Sequence, residues 1–333
     1  TEDWSLQWKC VLEGESGNDD EGYNTFTDGI FVSEDRILLF SKSAIYYVDI
    51  TEKKCLRIIR EPDNPDFSLI QAYAYYDGML VISYFNSLYL YNVESDTMRL
   101  LPIEVDYPYG LSFAFSPDNN FLAVSFDSSD PLLGNYQDVA GIAVLDLKTD
   151  QRTIVSADYD YVAHLCFVSE NQLAAIQYRY ISTDSSEEDK RVAYYEVVYE
   201  LDKGEVWRND THYQGSAAAY SQLPLARSVT VQENFEYEYN KKADVIIFSL
   251  GEQLLIIDKN TYKILTEDQF PYSIVNLFVY DDNTLLIGLL DGSVLKYQFD
   301  YRETVFRIND MINDLKFSLI ASDSEIRHFA EML

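Results

Sequence analysis

The residues best equipped for chemistry in this 333-residue chain are short clusters in which carboxylates stand beside aromatic rings. They are Asp66-Phe67, Asp106-Tyr107-Pro108-Tyr109, Asp158-Tyr159-Asp160-Tyr161, and Asp268 with Phe270-Pro271-Tyr272. A rigid ring next to a carboxylate can hold a lysine or arginine side chain, the ring by cation–π contact and the acid by charge pairing. Asp127, Asp130 and Tyr136 add the same residue types in one long polar stretch. The chemistry this spells is capture of a cationic group. Packing is the competing use of any single ring, because tyrosine is so often partly buried, but carboxylates are harder to explain that way.

Catalytic patterns are thin beside this, and no catalytic residue is assigned. His164, His212 and His328 are far apart and none has a second histidine at metal-ligand spacing. His164 lies in an apolar strand pattern and reads as a core or inter-blade histidine. There is no G-x-S-x-G elbow, no phosphate-cradling Gly-rich loop and no Cys–His arrangement. Asp127, Asp130 and Asp138 share a loop but lack the Asp-x-Asp-x-Asp-Gly spacing of a calcium loop. No metal or other cofactor is expected. Asn209-Asp210-Thr211 has the form of a glycosylation acceptor, which matters only in a secreted chain.

Charge narrows the partner. Lys+Arg number 25 against Asp+Glu 56, a formal net charge of -31. Such a surface repels phosphate backbones and anionic lipid heads, so nucleic acid and membranes are poor partners, and basic proteins or peptides are good ones. Cys10, Cys55 and Cys166 are too few and too widely spaced for a disulfide framework. No apolar run approaches the length of a membrane span, and no basic-then-apolar leader opens the sequence, so a cytoplasmic location is the expectation.

The elements that must position these residues are short strands. From Leu111 to Val155 the chain reads as four β segments separated by Ser-Pro-Asp-Asn-Asn, a polar insertion and Lys-Thr-Asp. This four-stranded meander recurs about every 40 residues, the signature of a β-propeller blade. Six complete units and a partial seventh follow one another, the first starting at Gly29 and the sixth at Ile274. The strand Trp4 to Val11 stands alone before them and is expected to close the ring as the outer strand of the last blade. The expected fold is therefore all-β: a seven-bladed propeller of four-stranded antiparallel blades, with six or eight blades as alternatives. It should form one domain over residues 1–333, as a module of a larger protein.

In such a blade, the loop leading into the first strand and the loop joining strands two and three lie at one end. The long stretches Asp127 to Ala140, Arg179 to Ala193 and Asn209 to Ser228 fall in loops of this kind, as do all the acidic-aromatic clusters, while the strand three to four turns stay minimal. Insertions confined to one face mark a binding face.

The units resemble WD-repeats. FSPDNNFLAVSF, Phe115 to Phe126, matches that family's first hairpin, and the third strands end Tyr47-Val48-Asp49, Leu90-Tyr91-Asn92, Val144-Leu145-Asp146 and Ile256-Ile257-Asp258 where the family has its Trp-Asp. The resemblance implies a non-enzymatic interaction, sensor or scaffold domain, whose partner is a protein, a basic peptide, or another domain of the same polypeptide. The alternative is a propeller hydrolase, lactonase- or glycosidase-like, with carboxylates or a metal at the channel mouth.

Overall fold

The computed structural model describes residues 28–63, 69–84, 87–103, 112–128, 139–156, 161–180, 191–210, 214–216, 227–237, 241–281, 284–298 and 306–307. They fall into two compact units, Thr1–Phe115 with Asn119–Thr153, and Ser116–Asp118 with Ile154–Leu333.

The first unit holds three antiparallel meanders. The first blade is β1 (Asp28–Ser33), β2 (Arg36–Phe40), β3 (Ile45–Asp49) and β4 (Lys54–Ile59). The second is β5 (Ala72–Tyr76), β6 (Met79–Tyr84), β7 (Ser87–Asn92) and β8 (Thr97–Leu100), and the third is β9 (Phe113–Phe115), β10 (Phe121–Ser128), β11 (Val139–Asp146) and β12 (Arg152–Ser156). Middle strands read as unbroken apolar runs because both of their faces are covered. Along β6, Leu80, Ile82 and Tyr84 pack with Leu38, Phe40, Ile45 and Tyr47 of the first blade. Val81, one step out of phase, packs with Phe113, Leu122 and Val124 of the third. The period of two thus sends alternate side chains into two different cores.

The second unit repeats the plan. Its blades are β13 (Tyr161–Ser169), β14 (Gln172–Tyr180), β15 (Arg191–Glu200) and β16 (Gly204–Asn209), with β17 (Gln214–Ser216) pairing beside β15; β18 (Arg227–Tyr237), β19 (Lys241–Leu250), β20 (Gln253–Asp258) and β21 (Ile264–Gln269); and β22 (Ile274–Asp281), β23 (Thr284–Leu289), β24 (Val294–Gln298) and β25 (Phe306–Arg307). Along β19, Ile246 and Phe248 join Ile176, Tyr194 and Val198, whereas Val245 and Ile247 join Leu285, Ile287 and Leu295.

Turn chemistry explains why the hairpins close where they do. Asp77-Gly78, between β5 and β6, has φ of 42° and 79°, the double left-handed conformation of a type I′ turn that this dipeptide favours. Between strands three and four a second device recurs. The last residue of strand three turns its side-chain oxygen onto backbone N–H groups of the turn: Asp49 accepts from Glu52 at 2.7 Å, Asn92 from Ser95 at 2.8 Å, Asp146 from Lys148 at 2.8 Å and Asp258 from Asn260 at 2.9 Å. A left-handed residue stands at the start of strand four, or one or two residues before it, in five blades: Lys53, Asp96, Asp150, Gly204 and Tyr262. These are side-chain-capped turns, so the Asp of the Trp-Asp position is kept here for turn closure.

Those turns also latch neighbouring blades. Arg57 of β4 donates to the Val93 carbonyl at 2.6 Å and the Tyr91 hydroxyl at 3.0 Å, and lies 3.4 Å from Asp96. Arg99 of β8 repeats this one blade on, donating to the Leu147 carbonyl at 2.8 Å and to Asp150 at 2.7 Å. In each case the targets are the carbonyl just after the capping residue and the carboxylate of the left-handed residue. Replacing Arg99 by methionine keeps the aliphatic stem and removes the latch. A loss of about 1 kcal/mol is expected, because the pair is partly exposed and screened. Urea unfolding measures it, and an unchanged midpoint would show that the latch adds nothing.

The outer strand of the fifth blade starts only at Ile264, because Tyr262 is held in the left-handed turn by its N–H bond to the Asp258 carbonyl at 2.9 Å, and the strand takes in Asp268. β17 was not expected at all: it lies inside the stretch Asn209 to Ser228 and extends the fourth blade along Arg191 to Ala193. The closing strand Trp4 to Val11 and the partial seventh unit lie outside the described residues.

Candidate acidic-aromatic site

Most of the expected cluster residues, Asp66, Phe67, Asp106, Tyr107, Tyr109, Asp130, Tyr136, Asp158, Tyr159 and Asp160, lie outside the described residues, and of Asp127 only the backbone, paired with Ala140 in β10, is described. The four others divide. Tyr272 is exposed at 44%. Tyr161 stacks on Tyr178 at 5.2 Å, at the start of β13. Phe270 is a packing residue: it is buried at 7%, meets Tyr297 edge-on at 6.0 Å and belongs to the core between the fifth and sixth blades. The Asp268 carboxylate accepts the Tyr297 hydroxyl from that next blade, so it is occupied by the seam.

The insertion geometry is clearer. Arg179, at the end of β14, lies 3.8 Å from Asp210, just past β16, and β17 pairs with the start of β15. The stretches Arg179 to Ala193 and Asn209 to Ser228 therefore spring from one end of the fourth blade. Asp127 to Ala140 springs from the corresponding end of the third, between β10 and β11.

At that same end of the first and second blades the described residues build an acidic-aromatic cluster. The Tyr73 hydroxyl donates to Asp28 at 2.5 Å, and the Tyr73 ring stacks on Phe40 at 3.8 Å. Beyond them Tyr89 donates to Asp63 at 2.7 Å and meets Tyr84 edge-on at 5.8 Å. Tyr84 is fully buried, and its hydroxyl has no hydrogen-bond partner among the described residues. Burial, with the neighbouring charge of Asp63, raises Glu61 above the usual carboxylate range. Burial and the bond to Asp63 push the Tyr89 hydroxyl up to about 12, so it remains a donor at neutral pH. Among the described residues no ion pair holds Glu61 or Asp63, in contrast to Asp96 and Asp150, which are paired with Arg57 and Arg99 at the other end of the blades.

Sequence reasoning centred this cluster at Asp66-Phe67 and missed Glu61, Asp63, Tyr84 and Tyr89. The signal was present, since Glu61-Pro62-Asp63 has the acidic, Pro-containing composition of the other clusters. The two tyrosines gave none, being strand residues whose ends only the pairing Tyr84↔Ser87 locates.

Buried polar groups in the second unit serve packing. His164 receives the Val229 N–H at 3.4 Å, linking β13 to β18, and burial pushes it down to about 4, so it is neutral at physiological pH. This is the inter-blade histidine expected. Glu196, 2% exposed, faces the fifth blade and accepts from the Asn209 amide at 3.1 Å. Burial, reinforced by the charge of Glu267, pushes it up to about 7. Among the described residues no group of three or more His, Cys, Asp or Glu side chains could hold a metal ion, and no helix is long and apolar enough to cross a membrane.

No protein-family profile and no curated protein sequence matches this chain. Solved structures do. Hsv2 of Kluyveromyces marxianus superposes with a TM-score of 0.51 at 9% identity, over 82% of this chain and 79% of that one. Hsv2 of Kluyveromyces lactis gives 0.50 at 12% identity, covering 83% and 82%. KlAtg21, solved in complex with the coiled coil of AgAtg16, gives 0.50 at 14% identity, covering 82% and 80%. The class follows from the repeated meanders, the capped turns and these superpositions: the chain is an all-β propeller of WD-repeat-like blades.

Proposed function

We propose that the chain is a non-enzymatic scaffold propeller of the cytoplasm that binds a basic protein segment on its acidic-aromatic face. The observation that carries this reading is the pair of carboxylates Glu61 and Asp63, which stand beside tyrosines, have no ion-pair partner among the described residues, and lie at the blade end equivalent to the one from which the long insertions of the third and fourth blades spring. The net charge of -31 supports it: a face ringed by carboxylates attracts a basic segment over a Debye length and repels nucleic acid and anionic membranes. That KlAtg21, of the same fold, is solved with a coiled-coil partner is consistent with a protein ligand.

Binding of a fluorescent lysine-rich peptide, followed as salt is raised, tests it. Association should slow and affinity fall steeply with ionic strength, and replacing Asp158 and Asp160 by asparagine should weaken it further without loss of fold. A peptide whose binding ignored both salt and these substitutions would leave the acid as a solubility coat only.

A further inference from the structure

Resting on that reading, we propose that Glu61, Asp63 and the Tyr84 hydroxyl form a receptor for one primary ammonium group, the side chain of a lysine in the basic segment. The strongest sign is Tyr84. Its side chain is 0% exposed, yet among the described residues its hydroxyl meets no donor or acceptor, an arrangement costly enough that native structures rarely leave it unused. The oxygen lies where the Glu61 charge acts on it, and its ring packs against Tyr89, whose own hydroxyl ends on Asp63. Three acceptors therefore gather where the first blade meets the second: the Glu61 carboxylate, the Asp63 oxygen that Tyr89 does not use, and the Tyr84 oxygen. An ammonium carries three N–H donors and no acceptor, so it is the cation whose donors match that set. A guanidinium fits less well. Its planar fork matches two oxygens of one carboxylate side by side, not three oxygens set around a single nitrogen.

The test is calorimetric titration of the full chain with octalysine, octaarginine and octalysine acetylated at every ε-nitrogen, and with calcium chloride alone. Tyr84→Phe is the decisive variant. It keeps the ring and the net charge, and it removes an unpaired hydroxyl, so melting should be unchanged or higher. Glu61→Gln is the second, and Glu34→Gln, on the β1–β2 turn at the opposite end of the first blade, controls for loss of one charge. The expected result is octalysine binding weakened roughly tenfold by Tyr84→Phe and by Glu61→Gln but not by Glu34→Gln, with little response to the acetylated peptide, which retains its α-amine. Octalysine binding unchanged in both Tyr84→Phe and Glu61→Gln would overturn the receptor. If that binding still fell with salt and with the Asp158 and Asp160 substitutions, the broader reading would survive. Equal sensitivity to octaarginine would overturn the ammonium class, and saturable calcium binding lost in Glu61→Gln would make this a metal site instead. No octalysine binding at all would end both proposals.

Discussion

Replacing Glu196 by glutamine should stabilise the protein at mildly alkaline pH by up to about 3 kcal/mol and leave it unchanged in acid. Glu196 is buried between the fourth and fifth blades with one amide partner, and its pKa rises from 4.5 in the open chain to about 7 in the fold. The folded state holds this proton more tightly than the unfolded state does. Stability from this group is therefore fully present below the unfolded value of 4.5, declines as pH rises through the folded value of about 7, and is level above it. Glutamine has the same shape and no proton to lose, so the difference between variant and wild type should open across that window and nowhere else. Urea unfolding at a series of pH values reads it directly. A difference that did not vary with pH would mean that Glu196 is solvated or neutralised by a cation.

The second large effect is expected at Phe248. Its ring is 1% exposed, stacks on Trp207 of β16 at 5.9 Å and belongs to the core between the fourth and fifth blades, with Ile176, Tyr194 and Val198. Truncation to alanine removes the ring and leaves a cavity that two stiff sheets cannot collapse to fill, a loss of 3–5 kcal/mol by the usual cost of such changes. The unfolding midpoint in urea should fall accordingly with little change in slope. A loss below about 1 kcal/mol would show that the sheets re-pack freely, and that the seam contributes less than its burial implies.

Both predictions concern inter-blade seams, which is where the sequence was least informative. Glu196 lies in the strand run Val192-Ala193-Tyr194-Tyr195-Glu196-Val197-Val198, where a charged residue mid-strand would ordinarily mark a solvent face. Register places it opposite Ile176 and Asn209, on the face that packs against the fifth blade. Phe270 and Asp268 show the same limit. Their spacing before an inner strand matched the other clusters, and only Tyr297 from the next blade reveals that one is core and the other a seam acceptor.

The amino-acid order alone settles the local grammar of the chain. Strand runs, the Asp77-Gly78 turn and the capping Asp or Asn at the end of strand three are set by backbone sterics and side-chain reach over a few residues, and strand three ends at Asp49, Asn92, Asp146 and Asp258 as expected. Repetition of that grammar was enough to identify a propeller of WD-repeat-like blades. What only the tertiary structure decided is which neighbour each side chain meets. A strand covered on both faces sends alternate residues into two cores, and periodicity cannot say which core is which, nor whether a tyrosine at a strand end finds a carboxylate across the seam. The convergence of Glu61, Asp63, Tyr84 and Tyr89 arises in that way: a loop leaving one blade is laid over the strand ends of the next, and burial then strands a hydroxyl among acids.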